Sequence, residues 1–291
     1  MALVIGSNAT VATGMSPIVE GALYADPIWI DGVTFSSKHE IGNAGQIQVV
    51  VSEASASALE PKLPGSDFTD TEYSNKVVDI NCNNAFLESS KVPNYFGAAM
   101  PINVLANKSF EVTEKVRVGR QSSALAVLVK GGTASSNTTA VTADNVKATF
   151  IGMRKDLRKN HVHPDVCFCS VDAYSAILEF AGKDFIPMYN DDIARSGRVG
   201  LWEGVLVVEC DSLDGASTYK YLDASGTAQS VDISDVEMVM FDHERFSLID
   251  RLDSLRIVAS EHFNGSKVQE ELSCGFLVTN SKAVLVKKKA A

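Results

Sequence analysis

The sequence predicts an α+β fold with segregated helices and strands. Three observations carry it. Residues 143–182 read as helix, short strand, helix. The stretch after residue 236 is dominated by strand-like runs. The first thirty-five residues are apolar yet broken by Gly6, Gly14, Pro17, Gly21, Pro27 and Gly32, which prevents a regular helix. Helices and strands do not alternate along the chain as a doubly wound sheet requires.

The elements follow in order. Residues 1–35 read as an N-terminal arm, because Ile18, Val19, Leu23, Ile28, Trp29 and Ile30 are too apolar for a free tail. Such a segment is either a frayed terminus or an extended arm that lies on another surface; if that surface is a neighbouring subunit, removing residues 1–30 should leave a soluble chain that no longer assembles. Residues 36–90 read as an extended β-hairpin loop. Ile47, Val49 and Val51 alternate in one limb, and Val77, Val78 and Ile80 stand in the other. Between them lies a turn-rich segment from Leu59 to Asp67. An isolated hairpin is marginal in water, so this one needs a supporting surface.

Residues 91–141 are expected to form a unit around a long helix. Phe110, Val112, Val116 and Val118 fit strand alternation, while Leu105, Val112, Val116, Ser123 and Val127 share a helical face. The run 123–130 favours helix and stops at Gly131-Gly132. A flexible link to residue 141 follows. Residues 142–235 form the α/β block. Val146, Phe150, Met153 and Leu157 make one stripe, residues 165–169 a strand, and Ser170 caps a helix carrying Tyr174, Ile177, Leu178 and Ala181. Strands follow at 205–208 and 219–222. Residues 236–291 are strand-rich, with runs at 236–241, 255–259, 268–278 and 283–286.

Bulk properties exclude several functions. Acidic residues outnumber basic ones, 36 to 26, giving a net charge of −10. A dedicated nucleic-acid binder needs the opposite balance. No apolar run approaches the ~20 residues that span a bilayer, and the start has no basic residue ahead of an apolar run, unlike a secretory signal. Five cysteines, Cys82, Cys167, Cys169, Cys210 and Cys274, are too sparse and too odd for a disulfide framework and fit a reducing cytoplasm.

Few residues suggest chemistry. His161, His163, Cys167 and Cys169 occupy odd positions of a segment that could converge on tetrahedral zinc if extended. Pro164 interrupts that segment, and packing in a buried strand is the preferred reading. Ser170, His163 and Asp172 are triad residue types, but no nucleophile elbow is present, and a helix cap explains Ser170. Asp191, Asp192, Arg195 and Arg198 form a charge cluster that is a solvated loop or an inter-subunit contact. Lys287-Lys288-Lys289 reads as a solvated tail. No cofactor is implied.

The segment Gly197-Arg198-Val199-Gly200-Leu201-Trp202-Glu203-Gly204-Val205-Leu206-Val207-Val208, with the helix–strand–helix before it and the strands after it, resembles the major capsid proteins of tailed bacteriophages. The resemblance is architectural and spans nearly the whole chain. It implies a fold with an N-terminal arm, an extended loop, a spine helix in a peripheral domain, an axial domain and returning peripheral strands. It implies a shell subunit and not an enzyme: a virion capsid protein that forms in host cytoplasm. Hexamers and pentamers would enclose double-stranded DNA without sequence specificity and without a membrane. A portal and a separate scaffolding protein would be partners. Trp29, Lys62, Asp191, Asp192, Arg195, Arg198, Gly200 and Gly204 become assembly candidates, and Lys62 with Asn264 and Glu261 supplies the residue types of a crosslink. Two alternatives remain: an encapsulin-like nanocompartment shell, and a metal-dependent enzyme using His161, His163, Cys167 and Cys169.

Overall fold

The structure is a computed structural model that describes residues 23–25, 27–39, 46–52, 61–67, 75–94, 104–181, 186–187, 199–214 and 218–290. Its organising element is a seven-stranded mixed sheet. The strands of that sheet are β4 (Thr133–Ala134), β5 (Val166–Cys169), β6 (Ile186–Pro187), β7 (Val199–Trp202), β8 (Val205–Glu209), β11 (Val236–Phe241) and β14 (Val284–Lys288). Their spatial order is β4-β14-β11-β5-β8-β7-β6, with β4/β14 and β5/β8 parallel and the other pairs antiparallel. The sequence grouped 236–241 and 283–286 with the closing strands. Hydrogen bonding instead joins β11 to β5, and β14 to β11, because pairing is non-local and no local pattern announces a partner.

The sheet is apolar on both faces, and the two-residue period sorts its side chains cleanly. Val166, Phe168, Val208, Val239, Phe241, Val284 and Val286 enter one core. Cys167, Cys169, Val205, Val207, Met238, Met240 and Leu285 enter the other. That second core is closed by two amphipathic helices, α2 (Val146–Lys159) and α3 (Val171–Ala181), through Val146, Phe150, Met153, Leu157, Tyr174 and Ile177. The Ser170 hydroxyl accepts a hydrogen bond from the Ala173 N–H at 3.2 Å, a helix N-cap.

The first core is closed by the C-terminal half of α1 (Val104–Gly131), a single helix about 42 Å long. Its N-terminal half carries Val112, Thr113, Val116 and Val118, whose branched side chains lower helix propensity and mimic strand alternation. Its C-terminal half buries Ala124, Leu125, Ala126 and Leu128 in succession, so no polar face marks it as a surface helix. Packing decides the conformation. Gly119 sits in mid-helix where a Cβ would come within 2.9 Å of Phe86, so glycine permits the close approach of helix and strand.

Phe86 belongs to β3 (Asn84–Pro93), which lies in a second, three-stranded antiparallel sheet ordered β12-β13-β3. The strands β12 (Phe246–Ala259) and β13 (Gly265–Val278) pair over their full length, with a register shift between Asp250 and Leu252. The α1 helix lies across this sheet. The Thr113 hydroxyl donates to Glu270 at 2.5 Å, Lys115 pairs with Glu88 at 2.8 Å, and Arg120 pairs with Asp250 at 2.7 Å. Residues 84–90, read in sequence as part of the hairpin loop, are therefore sheet residues.

Strands β1 (Gln46–Ser52) and β2 (Asn75–Asn81) pair with Ile47 opposite Ile80 and Val49 opposite Val78. The base of this hairpin rests on its own chain, with Val49, Ile80 and Cys82 against Ile249 and Leu277. A further hairpin, β9 (Thr218–Leu222) with β10 (Ala228–Asp232), closes over α1. There Ser123 donates to the Lys220 carbonyl at 2.7 Å, and Asn84 accepts from the Leu222 N–H at 2.8 Å.

Candidate functional site

The structure separates the candidate metal ligands. Cys167 and Cys169 share one face of β5 with sulfurs 3.7 Å apart, both buried. Burial, then hydrogen bonding to Cys167, pushes the Cys169 thiol well above its ordinary pKa. His161 and His163 do not join them. Both are exposed in the turn after α2, where His161 takes a left-handed φ of 60° and His163 contacts Arg158. The extended run does not reach the histidines, since β5 begins only at Val166, after Pro164. His163 faces solvent beside Arg158 while Ser170 is buried and caps its helix, as the sequence reading preferred. Elsewhere Asp165, Asp242 and His243 bring one ligand atom each within 4.8 Å. Internal bonds occupy them: Asp165 accepts from the His243 N–H at 2.9 Å and contacts its imidazole, and Asp242 accepts from the Glu244 N–H at 3.0 Å.

The assembly candidates fall into different surroundings. Trp29, partly buried, packs within its own chain. Its ring centroid lies 5.1 Å from Phe168 and 4.9 Å from Phe246, and its indole N–H donates to the Gln121 carbonyl at 3.4 Å. Ile28 and Phe35 are buried in the same core. This end of the expected arm thus belongs to the chain's own core, because its large apolar side chains close the flank of the first core. Lys62 is exposed, with its ammonium on the Asp67 carbonyl at 3.0 Å. Asn264 is held by Asn94, whose side-chain amide donates to it at 2.9 Å. Asp191, Asp192, Arg195 and Arg198 lie outside the described residues. Gly200 is buried in β7, opposite Val207 on one side and Pro187 on the other. Gly204 has φ +77° beside Glu203 at +50°, and Trp202 pairs with Val205. Two left-handed residues between paired strands are a tight hairpin turn, so local geometry accounts for Gly204.

Sequence reasoning missed two features. The first is the outer half of β12. That strand is the edge of its sheet, and beyond residue 249 its side chains are exposed on both faces, including Leu252, Leu255, Ile257 and Val258. An edge of this length with apolar side chains is a template for pairing or packing with another chain. The second is Lys287, which is fully buried, its ammonium bonded to Glu237 at 2.9 Å and to the Thr139 carbonyl at 2.7 Å. It is not part of a solvated tail.

No protein-family model and no curated protein sequence matches the chain. Solved structures do. A structure from Mycobacterium phage Che8 aligns over 97% of this chain and 98% of its own at 14% identity, with a TM-score of 0.68. The capsid structure of cyanophage P-SCSP1u aligns over 96% and 93% at 13% identity, with a TM-score of 0.69. The mature capsid of bacteriophage PhiM1 aligns over 98% and 95% at 14% identity, with a TM-score of 0.60. Nearly every residue of this chain has its counterpart in these structures and few residues are left over on either side: its α+β fold is that of phage capsid subunits.

Proposed function

We propose that this chain is a major capsid protein, a structural subunit that assembles with copies of itself into an icosahedral shell enclosing double-stranded phage DNA. The observation that carries the reading is likeness of fold over whole chains to several phage capsid structures. The long apolar edge of β12 supports it, since a subunit built for repeated self-contact needs exposed, unsatisfied surface. Hexamers and pentamers are the proposed assemblies, with a portal and a separate scaffolding protein as partners, the virion as destination and host cytoplasm as the place of assembly. DNA contact is proposed to be weak and without sequence specificity, in keeping with the net charge of −10. The role is structural rather than enzymatic, and the zinc-enzyme reading loses its ligand set once His161 and His163 are exposed and apart from the thiols. A cargo-enclosing compartment finds no support among these neighbours, which are phage structures.

The test is to express the chain with its scaffolding partner and examine concentrated material by negative-stain microscopy and sedimentation velocity. Closed shells or rings of capsomers are expected. A chain that stays monomeric at every concentration, with and without scaffold, overturns the proposal.

A further inference from the structure

Among the described residues, the second core gathers sulfur chemistry that the proposed shell role does not use. Cys167 and Cys169 face the second core from β5. The adjacent strand β11 is paired so that Met238 stands opposite Cys169 and Met240 opposite Cys167. All four side chains are fully buried and enter the same core. Two thiols and two thioethers thus form a two-by-two array across neighbouring strands. Direct cross-strand neighbours have Cβ atoms about 4.5–5.5 Å apart, close enough for their flexible ends to converge. The alternate positions, Phe168, Val239 and Phe241, point into the other core, so the sheet's period has gathered four sulfurs on one side.

We propose that Cys167, Cys169, Met238 and Met240 form a binding site for a soft monovalent metal ion of the copper(I) class. The donor set selects the metal. Thiolate and thioether ligands together favour copper(I), whereas zinc is bound by thiolate, imidazole and carboxylate. The spacing fits as well. With the two thiol sulfurs 3.7 Å apart, a metal bonded to both at about 2.3 Å would subtend an angle close to tetrahedral, leaving two positions for the thioethers. Charge balance also fits a buried place. One thiol releases its proton to solvent on binding, and the resulting thiolate neutralises the monovalent ion, so no net charge is left in the apolar core. The ion would be loaded as the chain folds, since all four side chains are fully buried once it has folded.

The test uses the full chain, refolded anaerobically with copper(I) held by the chelator bicinchoninate. The wild-type chain is expected to withdraw a single equivalent from the chelator and to melt higher than the copper-free form. Cys167→Ala and Cys169→Ala each lose that equivalent. Met238→Leu and Met240→Leu conserve volume and keep the fold, and they hold copper more weakly than wild type in the same competition. Cys82→Ala, whose thiol lies in a different cluster, binds as wild type does. No uptake by the folded wild-type chain overturns the site. So does uptake that survives Cys167→Ala, or uptake indifferent to both methionine substitutions.

Discussion

At the scale of single residues, Gly204 and Lys287 each do one job that no other residue type does there. Gly204 holds φ +77° in open space, so a larger side chain meets no neighbour, and the penalty lies in its own backbone. Gly204→Val is expected to destabilise the subunit by roughly 1–3 kcal/mol. Thermal unfolding of the unassembled subunit should show the loss. A normal melting temperature with blocked assembly would instead point to crowding by another chain. Lys287 is an ion in the interior, held by Glu237 and two carbonyls, Thr139 and Lys288. Glu237 in turn accepts from the Val141 N–H at 3.0 Å, so the pair pins the link after α1 to the sheet. Removing one partner strands the other, at roughly 3–5 kcal/mol. Lys287→Ala should therefore lower the urea midpoint sharply, and Lys287→Met with Glu237→Leu should recover much of the loss. If Lys287→Ala unfolds like wild type, the pair contributes nothing.

At the scale of elements, the segment around Trp29 changes what a truncation means. Residues 1–30 include Ile28 and Trp29, which close the first core against Phe168 and Phe246, so their removal is expected to cost the chain stability as well as assembly. Trp29→Ala is expected to cost about 3 kcal/mol, the low end for a packed tryptophan because this one is only half-buried. Deletion of residues 1–30 should lower the subunit's melting temperature at least as much. An unchanged melting temperature in the deletion would mean that these contacts carry no stability. The α1 helix teaches the same lesson from the other side. Gly119 costs helix propensity of about 1 kcal/mol relative to alanine, yet Phe86 occupies the space an alanine would need. A local penalty is accepted where two elements meet.

At the scale of the whole molecule, two covered faces and one uncovered strand divide the labour. The seven-stranded sheet is packed on both sides and gives the chain its own stability. The three-stranded sheet is covered by α1 over β13 and β3 but leaves the outer half of β12 bare. Ile257 on that strand is 52% exposed. If the shell proposal holds, Ile257→Asp should change subunit stability by no more than about 0.5 kcal/mol, as exposed substitutions do, while reducing assembly in sedimentation velocity. Assembly at the wild-type level would remove β12 from the contact surface.

The sequence by itself determined the elements whose signals are local. The stripe of Val146, Phe150, Met153 and Leu157, the cap at Ser170 and the alternation of Ile47, Val49 and Val51 each need only a few consecutive residues to be read. The same two-residue period is enough to put Cys167 and Cys169 on one face. It could not supply the imidazoles, because the chain turns at His161 and enters β5 only after Pro164. Tertiary structure alone decided the rest. The first half of α1 carries residues that suit a strand equally well, and only packing on β3 and β13 makes it helix. Sheet membership of β11 and β14, the packing of Trp29, the burial of Lys287, and the pairing of Met238 and Met240 opposite the two cysteines all depend on partners far away in sequence. Propensity and period act over one or two turns of chain. Burial and pairing act through space, and they overrule the weaker local preference wherever the two disagree.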